Sequence, residues 1–154
     1  MRSVTIEWEG SFSLDYVIDN LNDGKDDYGL YQIYGTHIVY GANSLLYIGK
    51  AEGLTFSQRF SQHREWLSEE ESVSIRIGRV ASEDYAYDPP DWSDWQKVLR
   101  DAEALTIYWH SPPYNSQNIN DYNGQRLKVV NKGERGALVE EYISDERKSQ
   151  VEEN

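Results

Sequence analysis

Apolar and polar residues alternate along some stretches of this chain and recur at helical spacing along others. Alternation marks a half-buried strand, whereas apolar residues three and four apart mark a helix packed on one side. Val73, Ile75 and Ile77 alternate with Ser74, Arg76 and Gly78, which predicts a strand over 72–80. Segments 28–34 and 45–49 are rich in Tyr, Ile and Leu and read as two strands. The connection 35–44 makes them a long-looped hairpin, and its apolar part, His37-Ile38-Val39-Tyr40, is available to extend one strand. Segments 3–9 and 12–18 read as two short strands, or as a strand and a turn, and 127–130 as another short strand.

The first clear helix starts at Thr55. Thr55 and Gln58 have the spacing of a capping box, in which each side chain satisfies a free N–H of the first turn. Phe56, Phe60, His63 and Leu67 follow as one stripe, and Glu69-Glu70-Glu71 ends it. A second helix starts at Ser93, with Gln96 three residues on and Val98, Ala102, Leu105 and Trp109 as its buried stripe. Pro112-Pro113 stops it, because a residue before proline disfavours helical geometry. Segments 20–27, 82–91 and 115–124 read as loops. Segment 137–148 reads as an acidic helix and 149–154 as a disordered tail. With no internal repeat and no linker, residues 1–154 are expected to form one α/β (α+β) domain, a small, mainly antiparallel sheet flanked by helices.

Composition narrows the chemistry. The 154 residues include no cysteine, so neither a disulfide nor a thiolate metal site is possible. No apolar run approaches the ~20 residues of a membrane span, and the alternating N-terminus does not resemble a signal peptide. A cytoplasmic protein without membrane contact is the expectation. The net charge of −12 argues against strong nonspecific binding to a polyanion. The charge is uneven, however. Residues 31–65 hold 3 basic and 2 acidic groups, and residues 103–136 hold 4 and 3, so both windows escape the acidic excess. Screening beyond about 10 Å allows a locally neutral or weakly basic site on an acidic body.

Those two windows contain most of the residues whose order carries chemistry. Gly29-Leu30-Tyr31 is followed by Tyr47-Ile48-Gly49 sixteen residues later, then by Arg59, His63, Glu103 and Asn115. Each has a bland reading. A strand tyrosine is ordinarily packing, a helical arginine or glutamate ordinarily faces solvent, and a histidine on an apolar stripe is ordinarily a core residue with a satisfied ring. Arg59 and His63, four apart, share one helix face beside buried phenylalanines, where an unpartnered charge is costly. Glu103, one turn after Leu99, is expected at the edge of the buried face of its helix.

Taken together, these residues resemble the active site of the GIY-YIG nuclease family, with Leu30 in place of the middle Ile, over residues 28–118. The subset with His one turn after the motif Arg is the closer likeness. The resemblance implies metal-dependent endonucleolytic cleavage of DNA by one-step attack of water, leaving 5′-phosphate and 3′-hydroxyl ends. It implies that Tyr31 and Tyr47 face the scissile phosphate, with Tyr31 as the general base. It implies that Arg59 contacts phosphate, that His63 accepts or orients the Tyr31 proton, and that Glu103 is the one protein ligand of Mg²⁺ or Mn²⁺. Asn115, in Ser111-Pro112-Pro113-Tyr114-Asn115, matches the family's loop asparagine, with Asn118 and Asn120 close enough to compete. Lys50 is a candidate for lowering a tyrosine pKa or touching phosphate, and Gly29 and Gly49 for a close backbone approach. No appended DNA-binding element is visible, so DNA affinity is expected from loops, a homodimer or a protein partner. Two alternatives stand beside this reading. One is an inactive GIY-YIG-like module whose acidic surface binds a basic protein or mimics DNA. The other is a small-nucleotide phosphodiesterase.

Overall fold

The computed structural model describes residues 1–68, 72–81 and 92–145. Six strands form one mixed, mostly antiparallel sheet: β1 (Arg2–Phe12), β2 (Gly29–His37), β3 (Gly41–Ala51), β4 (Ser74–Val80), β5 (Leu127–Gly133) and β6 (Glu141–Ile143), in the order β3-β2-β4-β1-β5-β6. Only β1 and β5 run parallel. Three helices complete the fold: α1 (Leu14–Asn20), α2 (Phe56–Ser68) and α3 (Trp92–His110). The expected α+β architecture is the one observed.

Alternation along the strands builds two cores. Val4, Ile6, Trp8, Leu30, Ile48, Leu127 and Val129 pack with α3 through Val98, Leu99, Ala102 and Leu105. Tyr31, Ile33, Ile75 and Ile77 pack with Val17 of α1 and Phe56 and Phe60 of α2. The sheet therefore carries helices on both faces, and β3 is an edge strand. Among the described residues no helix is long and apolar enough to cross a membrane.

Three expectations change. After Phe12, which ends β1, residues 13–18 are neither strand nor turn: Ser13 caps α1, its Oγ accepting the Tyr16 N–H at 3.1 Å. Residues 38–40 do not extend a strand but form the exposed tip of the β2–β3 hairpin. The segment expected to be an acidic helix supplies β6 instead. Tyr142 pairs with Val129, stacks on Trp109 at 5.5 Å and contacts Thr106 Oγ1 at 2.7 Å, so tertiary contacts override a helical pattern there. The expected loop over 82–91, the acidic end of α2 at 69–71 and the tail at 149–154 lie outside the described residues.

Asp27 ties the loop before β2 to the rest. Its buried carboxylate meets Arg79 of β4 at 2.7 Å and accepts the Asp23 N–H at 2.7 Å, and its carbonyl accepts the Phe56 N–H at the start of α2. Removing Arg79 strands a buried charge. Arg79→Met is expected to cost about 2–3 kcal/mol, or roughly 5–10 °C of melting temperature. The double variant Arg79→Met/Asp27→Asn is expected to recover part of that loss. Thermal and denaturant unfolding of the two variants checks this, and wild-type stability in Arg79→Met would show that the link is dispensable.

Candidate active site

The register of one hairpin brings the two tyrosines together. Tyr31 lies opposite Gly49, and Tyr47 opposite Ile33. Residues directly opposite, and residues two apart, share a face. Both phenols therefore stand on the α2 side, with ring centroids 6.2 Å apart. A Cβ on Gly49 would lie 2.4 Å from the Tyr31 hydroxyl oxygen, so the glycine makes room for the phenol. A Cβ on Gly29 would lie 2.0 Å from the Gly78 carbonyl oxygen. Both glycines thus have a packing reason in the sheet.

The capping box starts α2 as the sequence suggests. Thr55 N–H donates to Gln58 Oε1 at 2.9 Å, and Gln58 N–H donates to Thr55 Oγ1 at 3.2 Å. From that start the helix turns Arg59 and His63 onto Tyr31. Arg59 Nε donates to the Tyr31 hydroxyl at 3.3 Å, and His63 Nε2 lies 3.3 Å from the same oxygen. Tyr31 is fully buried, covered by Phe60, Tyr47 and His63. Burial raises its pKa further than the Arg59 charge lowers it, so the phenol holds its proton firmly. Burial, and then the Arg59 charge, lower the His63 pKa, which keeps the imidazole neutral near pH 7. Tyr47, half-buried, is also raised, by burial first and then by Glu103, against the pull of Arg59.

Glu103 arrives from the other layer, on α3. Its pKa rises to about 7 because burial outweighs the attraction of Lys50, with Glu52 adding repulsion and Arg59 opposing it. Lys50 Nζ lies 4.0 Å from Glu52 Oε1, while Glu52 Oε2 is buried without a hydrogen-bond partner. Hard carboxylate oxygens, one of them unpaired, fit a Mg²⁺-like ion that completes its shell with water and phosphate oxygens. Among the described residues no cluster of three or more His, Cys, Asp or Glu forms a metal cage of its own.

Asn115 is held differently from the rest. Its Nδ2 donates to the Ile48 carbonyl at 2.9 Å, and its Oδ1 accepts the Ile48 N–H at 3.0 Å. Both amide ends are committed to the outer edge of β3, next to a bond from Tyr114 N–H to the Leu46 carbonyl. Asn115, rather than Asn118, is the asparagine tied to the strand that carries Tyr47, and its role there is positioning.

Glu52, beside Lys50 and Glu103, and two residues lining the cleft, Trp66 and Tyr114, were not singled out from the sequence. Glu52 follows Lys50 by two and so joins its side of the strand end. Trp66 follows Arg59 and His63 at the next helical step, and its ring centroid lies 6.0 Å from that of His63. The spacing of Arg59, His63 and Trp66 was visible, but nothing in a single sequence marked the third as part of the cleft.

No family model, curated protein or solved structure matches the chain.

The raised Glu103 pKa has a signed consequence for stability. A carboxyl that titrates higher in the folded state contributes stability below its unfolded pKa of about 4.5 and loses it as pH rises through about 7. Without divalent cation, wild type and Glu103→Gln are expected to melt alike near pH 4.5. At pH 8 the glutamine variant should be the more stable, by up to roughly 3 kcal/mol. Mg²⁺ should narrow that gap by stabilising only wild type. Melting curves across the pH range check this, and a pH-independent difference would remove the buried-carboxylate account.

Proposed function

We propose that the chain is a divalent-cation-dependent endonuclease of GIY-YIG type, hydrolysing DNA phosphodiesters by direct attack of water. The observation that carries this reading is the Tyr31 hydroxyl, held between the Arg59 guanidinium and a neutral His63 ring, with Glu103 close enough to shift the pKa of both tyrosines. A charged fork, a proton acceptor and a carboxylate around one cleft meet the needs of phosphodiester hydrolysis. Arg59 grips the phosphate, since its planar fork matches phosphate oxygens. Lys50 adds positive charge beside Glu103. Glu103, with Glu52 beside it, would hold the cation, which would supply positive charge to the phosphate.

Proton acceptance belongs to the Tyr31–His63 pair. A phenol with a raised pKa is no preformed phenolate. It can take a proton from the attacking water only by passing its own to His63 Nε2. The water oxygen bonds to phosphorus as the bridging oxygen leaves and takes a proton from solvent, and His63 later releases its own proton to solvent. Tyr31 is covered in this state, so substrate must displace part of the Tyr47–His63 cover; catalytic contacts commonly tighten only in the substrate complex.

Cleavage of plasmid DNA against mononucleotide diesters, with Mg²⁺ or Mn²⁺, tests the reading. Plasmid cleavage supports the endonuclease, turnover of the small diesters alone points to a nucleotide phosphodiesterase, and no turnover of either points to a binding module. Glu103→Gln is expected to lose at least 10²–10³-fold in rate while staying folded. Arg59→Lys should fall comparably, because a lysine keeps the charge but loses both the fork and the Nε donor to Tyr31. Near-native turnover of Arg59→Lys would remove the phosphate role.

The His63 ring is tested separately. His63→Phe keeps an aromatic ring in its position but removes the acceptor. At saturating Mg²⁺ its defect should be roughly 10²–10⁴-fold near neutrality and should shrink as pH rises. Tyr31→Phe should be inactive at every pH. A His63→Phe profile parallel to wild type, or substantial activity in Tyr31→Phe, would sink the relay.

A further inference from the structure

A cavity of about 460 Å³ opens beside the proposed site, lined by Tyr47, His63, Trp66 and Tyr114. Clefts of this size hold small-molecule-sized groups. The four rings follow one another at 6.0–6.5 Å between centroids: Tyr47 to His63, His63 to Trp66, Trp66 to Tyr114. Each is turned 64–66° from the next, an edge-to-face chain rather than a closed stack. Trp66 is 37% exposed and Tyr114 39%. Trp66 packs edge-to-face on Tyr47, His63 and Tyr114 and still leaves part of its indole open to the cavity, unlike the buried Phe56 and Phe60 of the same helix.

We propose that this cleft receives an unstacked nucleobase, so that the chain acts on nucleotides in single-stranded or unpaired DNA in preference to regular duplex. The proposal rests on the endonuclease reading and specifies its substrate. Two of the four rings, Tyr47 and His63, also stand against Arg59, so a base seated on Trp66 brings its own phosphate towards the guanidinium. Aromatic rings bind any base by its flat face, without sequence preference and without charge. That suits a chain of net charge −12, which cannot draw affinity from many phosphate contacts. A base already unpaired enters without the unstacking cost that a duplex base carries. Rings around a cavity can also hold a quaternary ammonium group, but Arg59 next to His63 repels a cation here.

The test uses the full chain as Glu103→Gln, so that binding is read without cleavage. Fluorescence anisotropy with a labelled 12-nucleotide single strand, a mismatch-bubble duplex and the fully paired duplex should rank the first two about tenfold tighter than the third. Trp66→Ala and Tyr114→Ala in that background should each weaken single-strand binding by about tenfold, leaving the salt slope unchanged. Trp66→Phe should restore most of the affinity. Equal binding of single strand and duplex, or no effect of Trp66→Ala, overturns the proposal. So does displacement of the single strand by tetramethylammonium but not by adenosine. Wild-type cleavage separates the two readings. Active cleavage with a Trp66-independent binding profile removes the base pocket and keeps the nuclease. Trp66-dependent strand binding with no cleavage of any diester keeps the pocket and removes the nuclease.

Discussion

Pairing of Tyr31 with Gly49 across the β2–β3 hairpin sets where the two phenols stand, and with them the groups that α2 turns onto Tyr31. A strand register has a side-chain period of two, so a slip by one residue between β2 and β3 would put the two phenols on opposite faces of the sheet. The glycine is part of the same constraint, because the Tyr31 ring occupies the space a side chain at 49 would need. Once the phenols are fixed, α2 has one way to present Arg59 and His63, and that helix is anchored at its first turn by the Thr55–Gln58 exchange and by the Asp27 carbonyl. Glu103 is set independently, by the packing of Leu99, Ala102 and Leu105 beneath α3.

The cleft therefore draws on both cores. Its guanidinium and imidazole belong to the layer that contains Phe56 and Phe60, and its carboxylate to the layer that contains Val98 and Leu105. The edge strand β3 is the seam between them. This explains why an electrostatic link runs from α3 to the tyrosines, although the helices lie on opposite faces of the sheet.

Much of this was legible in the sequence where local and tertiary preferences agree. The stripes Phe56–Phe60–Leu67 and Val98–Ala102–Leu105–Trp109 are buried as their spacing suggests, and the alternation of Ile75 and Ile77 marks β4 correctly. Legibility failed where an element is short or held by distant partners. The seven residues of α1 after Ser13, about two turns, are too few to show a period. Leu138 and Tyr142, four apart, imitate a helical stripe, yet Tyr142 is fixed by Asn131 Nδ2 at 3.1 Å and by the Trp109 ring. The candidate residues Tyr31, Tyr47, Arg59, His63 and Glu103 do converge. What spacing alone could not convey is burial: it leaves Tyr31 covered, commits both ends of the Asn115 amide to the backbone, and opens Trp66 to the cleft.

Asn115 also decides how this chain can meet another copy of itself. Its side-chain amide behaves towards Ile48 as a neighbouring strand's peptide would, and the Tyr114 N–H continues the ladder to Leu46. An unpaired edge is a template for strand addition, and here the template is already occupied over its central residues. At the opposite end of the sheet, β6 is three residues long, too short to recruit a partner strand firmly. Sheet-to-sheet association is thus discouraged at both edges. Any self-association of this domain is then left to its helix faces and loops.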